Sequence, residues 1–172
     1  METTITVKEQ QAKALAEKAG KMGVSIEVQA LRDKIAIIEF AISELECAQF
    51  GNYLPLKHTF ADGIYVREIF IPKGEFLVGR IHRFKHPNFV LKGDVSVLTE
   101  EGARRIKAPC SMISPSGTKR VVYAHEDTIW VTVHKAEEKS VDELENEILC
   151  KDYEELMPDY AKKYIDVQGE II

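Results

Sequence analysis

Between Ile64 and His134 the chain alternates apolar and polar residues over short stretches. GIYVREIFIP, EFLVGRIHRF, NFVLKG, DVSVLTE, RRIKAP, SMISPSG, KRVVYA and TIWVTVH are rich in β-branched and aromatic side chains. Pro-Lys-Gly, His-Pro-Asn, Lys-Gly-Asp, Glu-Gly and Pro-Ser-Gly turns separate them, so that they recur every eight to twelve residues. A period of two turns one face of each stretch inward. The pattern therefore predicts successive short strands in an antiparallel sandwich or barrel. A parallel sheet needs a crossover of about a dozen residues between strands, and these intervals leave no room for one.

The flanks follow a different period. Met1 to Gly20 is rich in Ala, Lys, Glu and Gln and lacks Pro, which predicts a helix closed by Gly20 and Gly23. A second helix is predicted over Ile26–Cys47. There Leu31, Ile35, Ile38, Ile42 and Leu45 step by four, three, four and three and draw one apolar stripe. So short a stripe makes a marginal free coiled coil. It predicts packing on the chain's own domain or on a second copy, as in a homodimer. After the strands, Ser140 and Glu143 form a capping box that opens VDELENEILCKDYEELM. Pro158 marks a break, and DYAKKYIDVQGEII reads as a short helix and a tail. The division expected is a helical N-terminal extension (1–50), a mainly β barrel (51–136) and a helical C-terminal extension (137–172).

Composition narrows the function classes. The chain has 172 residues, enough for one main domain with a sizeable core. Its net charge of −5 disfavours bulk nucleic-acid binding, which wants a basic surface. No apolar run is long enough for a membrane span, and the N-terminus lacks a signal-peptide core. Cys47, Cys110 and Cys150 form no paired or zinc-like spacing, so they read as reduced thiols of a cytoplasmic protein.

Two runs within the barrel carry a more specific signal. Gly74, Arg80, His82, His86 and Gly93 stand at the spacing G-x5-R-x-H-x3-H-x6-G. Pro109, Pro115, Gly117, Arg120 and Ala124 follow at the spacing P-x5-P-x-G-x2-R-x3-A. These spacings resemble the two motifs of the cupin superfamily, G-x5-H-x-H-x3-E-x6-G and G-x5-P-x-G-x2-H-x3-N. The barrel also looks like small cupin proteins of phage and bacterial genomes. The resemblance implies a single antiparallel jelly-roll barrel, and dimers are common in that superfamily. In its metal-binding members two His, one Glu and a third His meet on one ion. Here those four places hold Arg80, His82, His86 and Arg120, so only His82 matches; His86 could serve in place of the Glu.

Guanidinium stays protonated and offers no lone pair, so Arg80 and Arg120 cannot be ligands. Arg80 and His82 lie two apart and share a strand face. In the cupin register that face is inward, with His86, Asn88 and Val90 on the next strand and Arg120, Val122 and Ala124 opposite. Two inward arginines would repel a cation and favour an anion. The leading expectation is therefore a pocket without a metal cofactor. It would bind a small anionic molecule, such as a nucleotide, sugar phosphate or carboxylate. His82 would be the acid/base group, and Arg80, His86, Arg120, Tyr65, Arg67 and His134 would line the pocket. A second reading makes the protein a metal-dependent enzyme, a dioxygenase or isomerase, with Fe, Mn, Ni or Zn on His82, His86 and His134. A third makes the barrel an assembly module. Against all three stand plain structural roles: salt bridges from Arg80 and Arg120 to Glu68, Glu75 or Asp94, and an exposed His86 in its turn before Pro87.

Overall fold

The computed structural model describes residues 7–156. It opens with a helical hairpin, α1 (Val7–Lys21) and α2 (Ile26–Ser43). Ser25 caps α2 by accepting a hydrogen bond from the Val28 amide at 3.3 Å. The helix stops at Ser43, four residues short of the expected Cys47, and the chain turns there. Ile35 is the deepest residue of the apolar stripe, at 1% exposed. Because α2 lies against the barrel strand that begins at Asp94, the stripe is used within the chain. Ile37 and Phe40, on the other side of the helix, are 68% and 67% exposed.

The strands are β1 (Leu56–Ala61), β2 (Ile64–Ile71), β3 (Phe76–Val78), β4 (Ile81–His82), β5 (His86–Lys92) and β6 (Asp94–Thr99). They continue with β7 (Gly102–Lys107), β8 (Cys110–Ser114), β9 (Val121–Ala124) and β10 (Thr128–Lys135). A five-stranded sheet runs β1-β2-β10-β5-β8, and a four-stranded sheet runs β3-β9-β6-β7. β6 and β7 form a hairpin in one sheet, while β5 and β8, which flank them in sequence, pair in the other. β9 and β10 then return between earlier strands, again one to each sheet. This nested antiparallel pairing across two sheets is a jelly roll. Ile71, Val90, Val95, Val97, Ile106, Val122, Ala124 and Trp130 fill the space between the sheets.

Three local departures from the sequence reading have physical causes. β1 was not anticipated, although Leu56, His58 and Phe60 alternate with exposed residues and give it the period of a strand. The stretch EFLVGRIHRF is two strands, not one. The Gly79 amide still bonds the Arg120 carbonyl at 2.7 Å, but beyond it the His82 amide bonds Thr118 and β4 takes a new partner. That partner is β11 (Leu149–Cys150), which follows α3 (Val141–Ile148). The expected long C-terminal helix therefore ends at Ile148. A backbone carbonyl that would have continued the helix accepts from Arg83 at 2.8 Å, and the chain pairs along β4. A 3-10 turn spans Glu154–Leu156, and Pro158 with the segment after it lies outside the described residues.

The capping box at Ser140 and Glu143 forms and starts α3. Leu144 and Ile148 of α3 join Tyr65 and Ala136 in a second cluster that closes one end of the barrel. Among the described residues, no helix is long and apolar enough to cross a membrane.

Gly93, the last glycine of the first motif, sits at φ +103°, and a Cβ there would meet Thr128 Oγ1 at 2.2 Å and its Cα at 2.7 Å. Gly74 is also left-handed, at φ +84°, but has open space around it. Gly93→Ala is therefore expected to lose about 3 kcal/mol or more of unfolding free energy, and Gly74→Ala only about 1 kcal/mol. Urea unfolding of the two variants checks this; equal losses would contradict the assigned contact.

Candidate metal centre

Three of the five histidines meet inside the barrel. His82 ends β4, His86 opens β5 and His134 lies near the end of β10. Their ring centroids are 4.3 Å apart for His82–His86, 4.5 Å for His86–His134 and 5.3 Å for His82–His134. One ring nitrogen from each lies within 4.8 Å of the others. The jelly roll produces this grouping because β5 and β10 are sheet neighbours, in register at Asn88 and Thr132 just below the two histidines. β4 delivers His82 from the side, held by Leu149 of β11.

Each of the three rings has a buried nitrogen without a partner. His82 Nδ1, His86 Nε2 and His134 Nε2 are closed off from solvent and have no hydrogen bond. His86 shows what its orphan atom must be. Its Nδ1 stands 2.9 Å from the Phe84 carbonyl oxygen, which can only accept. Nδ1 therefore carries the proton, and Nε2 presents a bare lone pair to the cluster. Burial is also the main reason that all three titrate low. His86 and His134 are lowered to about 4, and His82 well below 6.5, with Arg120 and neighbouring imidazoles adding to the effect on His82 and His134. At neutral pH the cluster holds three uncharged imidazoles.

Beside them lies a polar chain. The Trp130 indole donates to Asn88 Oδ1 at 3.0 Å, and Asn88 Nδ2 donates to Ser114 Oγ at 2.8 Å and to the His86 carbonyl at 3.2 Å. Arg120, only 8% exposed, also donates to Ser114 Oγ and places its guanidinium 5.5 Å from the Trp130 ring centroid. Burial lowers Arg120 to about 10, with the Glu100 carboxylate acting in the opposite sense. It stays charged.

A cavity of about 140 Å³ opens from His82 toward solvent, lined by polar Arg67, Arg80, Asn52 and Glu145 and by apolar residues including Ile69 and Leu77. Arg80 and Glu145 form an ion pair at 2.7 Å, and Asn52 Nδ2 donates to the other Glu145 oxygen at 3.1 Å. The structure thus separates the two motif arginines. Arg120 is inside the barrel next to the histidines, whereas Arg80 turns to the cavity mouth with its side chain 53% exposed. The expected pair of inward guanidiniums does not form, because α3 supplies Glu145 as a partner for Arg80. That partner is none of Glu68, Glu75 or Asp94; Asp94 is taken by Arg105 and Lys107.

His86 is not exposed in its turn; it is 1% exposed. Tyr65 is fully buried in the cluster beneath α3, and its hydroxyl bonds His58 Nδ1 at 2.7 Å. It does not line the cavity, whereas Arg67, two residues on, does. Glu145 and Asn52 were not anticipated, and Asn88 was expected only as an inward-facing neighbour of His86 and Val90. No sequence signal marks the first two, which come from a loop and a helix outside the strand pattern, but Asn88 shares the inward period of His86 and Val90.

No family model and no curated protein matches the sequence. The nested strand order classes the barrel. It is the antiparallel jelly roll expected from the sequence. Solved structures similar to it include ectoine synthase from P. lautus, with 10% identity and a TM-score of 0.47, where the match covers 63% of this chain and 83% of that one. Another is KdgF from Halomonas sp., with 15% identity, a TM-score of 0.45 and coverage of 59% and 94%. A third is an RmlC-like cupin with a double-stranded β-helix fold from Methanocaldococcus jannaschii, with 13% identity, a TM-score of 0.42 and coverage of 53% and 87%. Likenesses at this level concern the path of the chain and leave the chemistry to the residues.

The low histidine values carry a pH signature. An unfolded imidazole titrates near 6.5, and folded His86 and His134 titrate near 4. Between those values the unfolded chain holds more protons. Metal-free protein should therefore lose stability as pH falls from about 6.5 toward 4, and histidine should contribute no slope above that window. His134→Gln should flatten the fall. Melting temperatures of chelator-treated protein from pH 7.5 to 4.5 test it, and equal slopes in the two proteins would contradict burial as the cause.

Proposed function

We propose that the barrel holds one divalent transition-metal ion on His82, His86 and His134 and presents it to a small ligand entering the adjoining cavity. The observation that carries this reading is three histidines that bring one ring nitrogen each within 4.8 Å of the others, each histidine also having a buried ring nitrogen without a hydrogen bond. Nitrogen donors suit Fe, Mn, Ni or Zn. Neutral imidazoles are in the form a metal needs, and the Phe84 carbonyl already fixes the tautomer of His86. Such an ion would act as a Lewis acid toward an oxygen of the ligand. The chain's own residues bind and orient. His82 forms part of the cavity wall, Ile69 and Leu77 exclude water there, and the Asn88–Ser114–Arg120 chain stiffens the strand that carries His86.

This reading makes the protein a metal-dependent small-molecule cupin, as a binding protein or as a dioxygenase or isomerase. The metal-free anion pocket is the competing reading, and buried Arg120 beside the histidines is the observation that favours it. The total repulsion toward a cation is less than two inward arginines would exert, because Arg80 is paired with Glu145, and an anionic ligand would offset the charge of Arg120. A homodimer belongs to the same proposal, with outward Ile37 and Phe40 left free for the contact.

Elemental analysis of the purified full-length chain should find about one transition-metal ion per chain. His86→Gln and His134→Gln should each weaken cobalt(II) binding at least about tenfold while remaining folded by circular dichroism. A wild-type protein that neither contains a metal nor takes up cobalt(II) would overturn the proposal.

A further inference from the structure

We propose that the cavity beside His82 takes a short-chain carboxylate and that Arg67 is its anchor. The inference deepens the metal-site reading and rests on it for the ligand's second contact. Arg67 projects from β2 into the cavity wall. Among the described residues it forms no ion pair, and its one side-chain hydrogen bond, to Asn52 Oδ1, is long at 3.5 Å. A guanidinium offers five N–H donors in a planar fork, and Arg67 has most of them free to meet a ligand. Its neighbour Arg80 is different, since Glu145 holds it at 2.7 Å. Burial lowers the Arg67 pKa from 12.5, as expected of a cation short of partners.

Charge, size and polarity of the lining narrow the class. Arg67 and Arg80 bring two positive charges and Glu145 one negative, so these side chains leave the wall net positive even before an ion on the histidines is counted. An anion is therefore favoured over a neutral ligand. The cavity of about 140 Å³ is below the roughly 300–1,000 Å³ of sites that enclose drug-sized ligands. Its size suits a small ligand better than a nucleotide. Leu54, Leu56, Ile69, Leu77 and Ile148 line the remainder and suit a short carbon chain. A carboxylate matches the guanidinium fork edge to edge, with two parallel N–H···O bonds. The other end of such a ligand would then face His82.

The test uses the full-length chain loaded with cobalt(II), titrated calorimetrically at fixed ionic strength with pyruvate, pyruvamide and inorganic phosphate. Pyruvate should bind at least about tenfold tighter than its amide and tighter than phosphate. Arg67→Gln should lose that preference and keep its cobalt, and Arg67→Lys should fall between. Equal binding of pyruvate and pyruvamide, stronger binding of phosphate, or a wild-type pyruvate affinity in Arg67→Gln would overturn the anchor. If Arg67→Gln does not fold, the ratio of acid to amide in the wild type decides. A protein that takes no cobalt yet shows the Arg67-dependent preference sinks the metal reading and leaves the anchor standing. One that holds cobalt and shows no preference sinks the anchor alone.

Discussion

The structure turns on three imidazoles taken out of water without enough hydrogen bonds. Each buried, unpaired nitrogen costs on the order of 1–3 kcal/mol. Nothing in the local backbone requires histidine at these places; an apolar residue of similar size would fill them without that penalty. His86 makes the point most sharply. Its one satisfied nitrogen points at a carbonyl, so the other carries a lone pair without a partner, with the His82 and His134 rings 4.3 and 4.5 Å away. A water has only two protons to give. If all three rings present lone pairs, a single water leaves one unmet, whereas one cation can meet them all.

The jelly roll makes that arrangement affordable by spreading its parts over rigid elements. β5 and β10 are central strands of the larger sheet, and the core that packs between the two sheets holds their backbones in place. β4 alone is a short strand at the edge, and it is steadied from outside by β11. The same C-terminal turn brings Glu145, which draws Arg80 away from the histidines and pins Asn52 over the cavity. The C-terminal extension is thus part of the site. It converts a doubly cationic motif into one buried arginine beside the cluster and one neutralised arginine at the mouth.

Much of the fold could be read from strand periodicity. The alternation of His86, Asn88 and Val90 on one run, and of Arg120, Val122 and Ala124 on another, marked residues that are all buried. β1 was hidden because its lysine, histidine and threonine look like loop residues, although Lys57 and Thr59 alternate with Leu56, His58 and Phe60. The site was legible only in part. His82 and His86 are four residues apart and call attention to themselves, but His134 lies far away in sequence and joins them through sheet pairing. The orientation of Arg80 could not be read at all, because it depends on a glutamate 65 residues later in a helix whose docking no local pattern announces. The opposition first drawn between arginines and a metal rested on charges counted in the motif alone, without that tertiary partner.

X-ray absorption at the metal edge of reconstituted protein tests the central claim most directly. The account predicts a first shell containing three imidazole nitrogens at about 2.1 Å, with the multiple scattering of histidine rings, in the wild type. In His134→Gln one imidazole should be missing from that shell. A shell of oxygen without imidazole scattering, or a wild-type spectrum unchanged in His134→Gln, would contradict it.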